Sequence, residues 1–79
     1  MQLGIYTIKD TLFLGEVDKI IAKTTTGEIT ILSDHLPLVS TLVPSIIKVT
    51  DKEGEKSVQI KSGVIEIRPE SRVVILASA

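Results

Sequence analysis

The chain has 79 residues, nine of them Lys or Arg and ten Asp or Glu, giving a formal net charge of −1 with 43% hydrophobic residues and no cysteine. A chain this short forms one domain, 1–79, and buries only about 60% of its unfolded surface; Tyr6 and Phe13 are the only aromatics, so the core is aliphatic. Disulfide staples, thiolate chemistry and cysteine-based zinc sites are excluded, and without clustered basic residues or stacking aromatics nucleic acid is not the expected partner.

The first strand is read at Leu3–Ile5, where Leu3 and Ile5 alternate with Gly4 and Tyr6. Met-Gln-Leu-Gly carries no basic segment leading into an apolar run, so no secretory signal is expected. A longer apolar segment follows from Thr11 to Lys23, with Phe13, Val17 and the pair Ile20-Ile21, and is expected to bend near Gly15. Thr26-Gly27 breaks the chain before Ile29-Thr30-Ile31, and Pro44 opens the strand Ser45–Thr50. Asp51-Lys52-Glu53-Gly54-Glu55 suits a tight hairpin with Gly54 at a positive φ, as a type I turn plus bulge requires. Val58 and Ile60, then Ile65 and Ile67, continue the alternation, with breaks at Ser62-Gly63 and at Arg68-Pro69-Glu70-Ser71.

Turns recur about every seven to twelve residues, the spacing of a sandwich or barrel. No window sustains a 3.6-residue apolar period, so the fold class is all-β. Apolar stretches run to about five residues, far short of the about 20 that span a bilayer, and the protein is expected to be soluble. The last strand, Arg72–Ala77, is apolar on both faces. Either it lies centrally in a sheet, or one of its faces is covered by another chain or by residues outside these 79.

Catalytic constellations are missing. Ser33-Asp34-His35 has the residue types of a hydrolytic triad, but consecutive side chains cannot place a base between nucleophile and orienter. His35 is the sole histidine, so a histidine-rich metal site is ruled out, and its plainest role is a loop residue bonded to nearby backbone. Asp34 has no second acid at ligand spacing, and no glycine-rich loop leads into a helix to hold a phosphate. No catalytic, cofactor-binding or metal residue is assigned. What stands out is His35-Leu36-Pro37-Leu38, a loop stiffened by proline that carries apolar side chains. Such a loop loses little entropy on docking and suits a protein contact, although an ordinary sandwich corner reads the same way.

In this segment, Gly27-Glu28-Ile29-Thr30-Ile31-Leu32 followed two residues later by His35-Leu36-Pro37-Leu38 resembles the epsilon subunit of F-type ATP synthases, named delta in mitochondria. Phe13-Leu14-Gly15-Glu16-Val17 is similar to the family's second strand. Pro44–Val49 resembles its proline-led strand, and Ser62–Ile67 with Val73–Ala77 its ending. The departures are Ser33-Asp34 for the usual Pro-Gly, Ser45 for glycine, and Ser62 for the first glycine of a pair. The family's C-terminal helical hairpin, which binds ATP in some members, has no counterpart among these residues.

The resemblance implies a flattened β-sandwich of about ten short strands at the foot of a rotary central stalk. It implies a non-catalytic rotor subunit that docks the gamma subunit onto the c-ring and couples proton flow to ATP synthesis. Gly27, Glu28, His35, Leu36, Pro37 and Leu38 would be the partner-binding residues, with His35 in a loop neighbouring the Gly27-Glu28 turn. No cofactor is implied, and the domain alone would be monomeric. It would be associated with a membrane only through the complex, at the cytoplasmic face of the bacterial inner membrane or its organellar equivalent. A generic sandwich adaptor, or a small sugar- or nucleotide-binding module, are the competing readings.

Overall fold

The structure is a computed structural model that describes residues 1–79. Nine strands form: β1 (Gln2–Tyr6), β2 (Thr11–Glu16), β3 (Lys19–Thr24), β4 (Gly27–Ile31), β5 (Leu38–Leu42), β6 (Ser45–Asp51), β7 (Gly54–Ile60), β8 (Ser62–Arg68) and β9 (Arg72–Ser78). They hydrogen-bond in the order β2-β1-β9-β8-β5-β3-β6-β7, with β4 on the other side of β3. The all-β expectation holds, with nine strands for the about ten implied.

The sheet folds over at β5 and β3, which meet only at Thr24 and Leu42. This corner makes two layers, β2-β1-β9-β8-β5 and β4-β3-β6-β7, whose inner faces share one core. The molecule is flattened accordingly, at 26 × 26 × 19 Å. Alternation along each strand delivers that core: Leu3 and Ile5, Ile20 and Ala22, Ile47 and Val49, Ile65 and Ile67, Val73 and Ile75 all point inward and are buried. Thr24 is the one buried polar side chain, and its hydroxyl is satisfied by the Gly27 carbonyl at 2.9 Å.

β9 is central. It pairs in parallel with β1 and antiparallel with β8, which accounts for its dense apolar sequence. The segment from Thr11 to Lys23 departs from the expected single strand bent at Gly15. It divides at Val17-Asp18, where Val17 N–H donates to the Met1 carbonyl (2.8 Å) and Asp18 N–H to the Thr50 carbonyl (2.7 Å). These two bonds pull successive residues onto different layers. Gly15 lies inside regular pairing opposite Leu3, and the irregularity falls instead at Leu12, left unopposed between Ile5 and Tyr6.

Two hairpins use the same turn. Gly27 and Gly54 each close a two-residue loop at positive φ, +128° and +120°, where a Cβ would be strained. In each the first residue's side chain caps the turn: Thr24 Oγ1 accepts from Thr26 N–H, and Asp51 Oδ1 from Glu53 N–H at 2.8 Å. Asp51 also pairs with Lys56 across the hairpin at 3.0 Å. The hydrogen bond from Lys56, then that from the Glu53 amide, holds the Asp51 carboxyl below its usual value of 3.8. Asp51 in turn raises Lys56 above its usual 10.5.

Because its folded pKa is depressed, Asp51 contributes stability above its unfolded value, and that contribution is lost as pH falls through the folded one. Asp51→Asn is therefore expected to flatten the acid side of the stability curve, leaving a shallower decline below pH 3.8 than in the wild type. Thermal melts across an acid pH series check this; identical slopes would show that the pair does not survive in solution.

Candidate partner-binding surface

The residues singled out in the sequence fall into two groups. Gly27 and Glu28 begin β4, whereas His35, Leu36 and Pro37 lie in the loop beyond its other end, with Leu38 opening β5. At about 3.3 Å per residue the length of β4 separates the groups by about 15 Å. They are not neighbours, because an extended strand intervenes.

Glu28 sits on the outer face of the second layer, opposite Lys23 in the ladder. It takes part in none of the chain's ion pairs, which join Met1 to Glu16, Lys56 to Asp51, and Arg68 to Glu66. Around it that outer face presents Lys19, Lys23, Lys48 and Thr30, with only Ile21 and Ile46 apolar among them. The surface is largely polar.

The loop is different. His35 N–H donates to the Leu32 carbonyl at 3.0 Å, closing a turn over Ser33-Asp34. His35 Nδ1 lies 2.7 Å from the Leu36 carbonyl, which can only accept, so this contact places a proton on Nδ1. The ring is thus bonded to adjacent backbone, the plainest role read from the sequence. Leu36 is 79% exposed and Pro37 is exposed beside it.

A third feature joins the loop and was not legible as a unit from the sequence. The outer face of the first layer carries two largely apolar rows beside a polar row of Glu16, Gln2, Arg72 and Arg68. Pairing registers place Leu14, Gly4, Val74, Glu66 and Val39 in one row, and Tyr6, Leu76, Val64 and Thr41 in the next. Leu14, Leu76, Val64 and Val39 are exposed, Leu76 to 60%. Gly4 leaves a notch between Leu14 and Val74, and the Tyr6 ring lies across it, where a Cβ on Gly4 would collide with the ring. Glu66 is the one charge in these rows and is paired with Arg68 at 2.9 Å. Val39 adjoins the loop through Leu38, and the exposed Leu36 lies in that loop three residues before it. Exposed apolar side chains grouped in adjoining rows are the kind of patch that suits a protein contact.

No group of three or more His, Asp or Glu side chains converges as metal ligands would, and no helix is long and apolar enough to cross a membrane.

The family described as ATP synthase, Delta/Epsilon chain, beta-sandwich domain matches over residues 1–79. Among relatives, the ATP synthase epsilon chain of Ruminococcus albus is 35% identical over 78 residues, covering 99% of this chain and 58% of its own length. That of Acinetobacter baylyi is 36% identical over 80 residues, with 58% of its length covered. The chain thus spans little more than half the length of these relatives. Among solved structures, a chain of the Euglena gracilis mitochondrial ATP synthase assembly of OSCP, F1 and c-ring superimposes with a TM-score of 0.90 at 24% identity, covering 98% of this chain and 49% of that one. A chain of the Tetrahymena thermophila mitochondrial ATP synthase central stalk and c-ring gives 0.84 at 14% identity. At these identities the structures establish the shared fold.

Proposed function

Because this chain belongs to the family of ATP synthase delta/epsilon β-sandwich domains, we propose that it is a non-catalytic part of the rotor of a proton-translocating F-type ATP synthase. In this reading it holds the gamma subunit against the c-ring and transmits rotation, and no bond is made or broken on it. The observation that carries the reading is the contrast between its two outer faces. The apolar rows of β2-β1-β9-β8-β5, with Leu36 in the adjoining loop, suit burial against gamma, since apolar area removed from water stabilises a complex by about 25 cal/mol per Å² before ordering costs. The polar Gly27-Glu28 end suits the polar loops of a c-ring, where charge sets register more than affinity.

Gly27, Glu28, His35, Leu36, Pro37 and Leu38 are the partner-binding residues of this reading. Leu36 acts as the apolar anchor, with His35 beside it in the same loop. The domain then works at the cytoplasmic face of the bacterial inner membrane, or the equivalent organellar face, attached through its complex.

Reconstitution tests it: the chain is mixed with gamma and c-ring stripped of their own epsilon subunit, and co-purification is expected. Recovery of neither partner would leave a generic sandwich adaptor. A sharper expectation concerns Glu28→Lys, which inverts the charge of an exposed, unpaired position. Retention on the c-ring should fall several-fold, while unfolding free energy changes by no more than about 0.5 kcal/mol. A drop in stability of core size would mean that Glu28 serves the fold instead.

A further inference from the structure

We propose that Ser71 is the positioning residue of the docking loop, setting its shape through one hydrogen bond to the Ser33 carbonyl; this rests on the reading of that loop as a rotor contact. Residues 32–37 form the longest link between strands in the chain. Their internal bonds, His35 N–H to Leu32 and His35 Nδ1 to Leu36, are local and do not attach the loop to the body of the domain. The attachment comes from the β8–β9 turn, where the Ser71 hydroxyl donates to Ser33 O at 2.6 Å across 38 positions of sequence. Every other hydrogen bond between a side chain and the backbone in this molecule reaches three positions or fewer.

Ser71 is itself held firmly. Its carbonyl accepts from Gln2 N–H at 2.8 Å, tying it to β1. Its backbone is also left-handed, with φ of 56°, directly after Glu70 at 65°. Two consecutive residues with Cβ atoms in this region are strained, and glycine would sit there with less penalty. What serine offers over glycine at this position is the hydroxyl, and the hydroxyl is spent on Ser33. The turn therefore holds a strained conformation that aims one donor at the loop carrying Leu36.

Ser71→Gly in the full chain tests the assignment, because it relieves strain while removing the donor. Thermal stability should hold or rise, whereas amide hydrogen exchange at His35 should quicken by about fivefold, the scale of one ordinary hydrogen bond. Affinity for gamma and c-ring stripped of epsilon should fall by about the same factor. Ser71→Ala, which keeps the Cβ and loses the hydroxyl, should show the same faster exchange. Unchanged exchange at His35 in both variants overturns the assignment, as does faster exchange with unchanged affinity. Leu36→Asp separates the two ideas. If it leaves affinity intact, the docking reading fails and the proposal fails with it; if it weakens binding while Ser71→Gly does not, the docking reading stands and only the role of Ser71 is lost.

Discussion

Ile75→Ala is expected to destabilise the domain by about 2–5 kcal/mol, the range for removing a fully buried branched side chain. Ile75 is 0% exposed and sits in the middle strand of the first layer. It is flanked by Ile5 on β1 and Ile65 on β8, both also fully buried. The side chain is thus enclosed on both sides by neighbours that are themselves fixed in ladders, so the vacated space cannot easily collapse. A chain of this size has a total stability of about 4–12 kcal/mol, so the loss is a large share of the whole. The melting temperature should fall by at least about 10 °C, read by circular dichroism or calorimetry. A change smaller than about 1 kcal/mol would mean that β9 is not clamped between β1 and β8 as described.

One position further along the same strand the expectation reverses. Leu76→Glu should leave the melting temperature nearly unchanged yet weaken assembly with gamma and c-ring by about tenfold or more. Leu76 is 60% exposed and lies between Tyr6 and Val64 in the apolar row. In the free domain a glutamate there is solvated. Against an apolar partner it would be buried without a counter-charge, which is the costly case. Binding measured by reconstitution or surface plasmon resonance, beside a melt of the same sample, decides the matter. Intact binding would move the gamma contact away from this face, and loss of both folding and binding would show that the side chain belongs to the core.

Most of the fold could be read from alternation, because a half-buried strand writes its inner face into every second residue. Leu3/Ile5 and Ile65/Ile67 were placed this way, whereas Val73/Ile75 sit in a strand apolar on both faces, whose inner side alternation does not mark; the positive φ of Gly54 followed from its place in Asp51–Glu55. The break at Val17-Asp18 was missed for a physical reason. Asp18 alone is a weak turn signal, and the break is imposed by bonds to Met1 and Thr50, which are distant in sequence. Gly15 offered a visible but wrong signal. The apolar face escaped for the same kind of reason: Leu14, Tyr6, Val64, Val39 and Leu76 come from five strands, and only the registers bring them into adjoining rows. Conversely, Glu28 and His35 look close in sequence, yet β4 holds them apart. Nothing near Ser71 in the chain points to Ser33, and the one local clue was the break at Arg68-Pro69-Glu70-Ser71.

The parallel pairing of β1 with β9 also governs when the domain can form. β1 has β2 on one side, but its other neighbour is β9, the strand furthest from it in sequence within this sandwich. Early hairpins such as β1–β2 and β3–β4 close over short loops and can appear while synthesis continues. They remain marginal alone, since isolated hairpins bury too little apolar surface. The first layer is completed only when β9 slots between β1 and β8, a step that closes nearly the whole chain into one loop and carries the corresponding entropy cost. Until residues 72–78 are available, Leu3 and Ile5 have no β9 beside them, and the chain carries the exposed edges and apolar surface of an aggregation-prone intermediate. Folding of this sandwich is therefore expected to be all at once, gated by the arrival of β9.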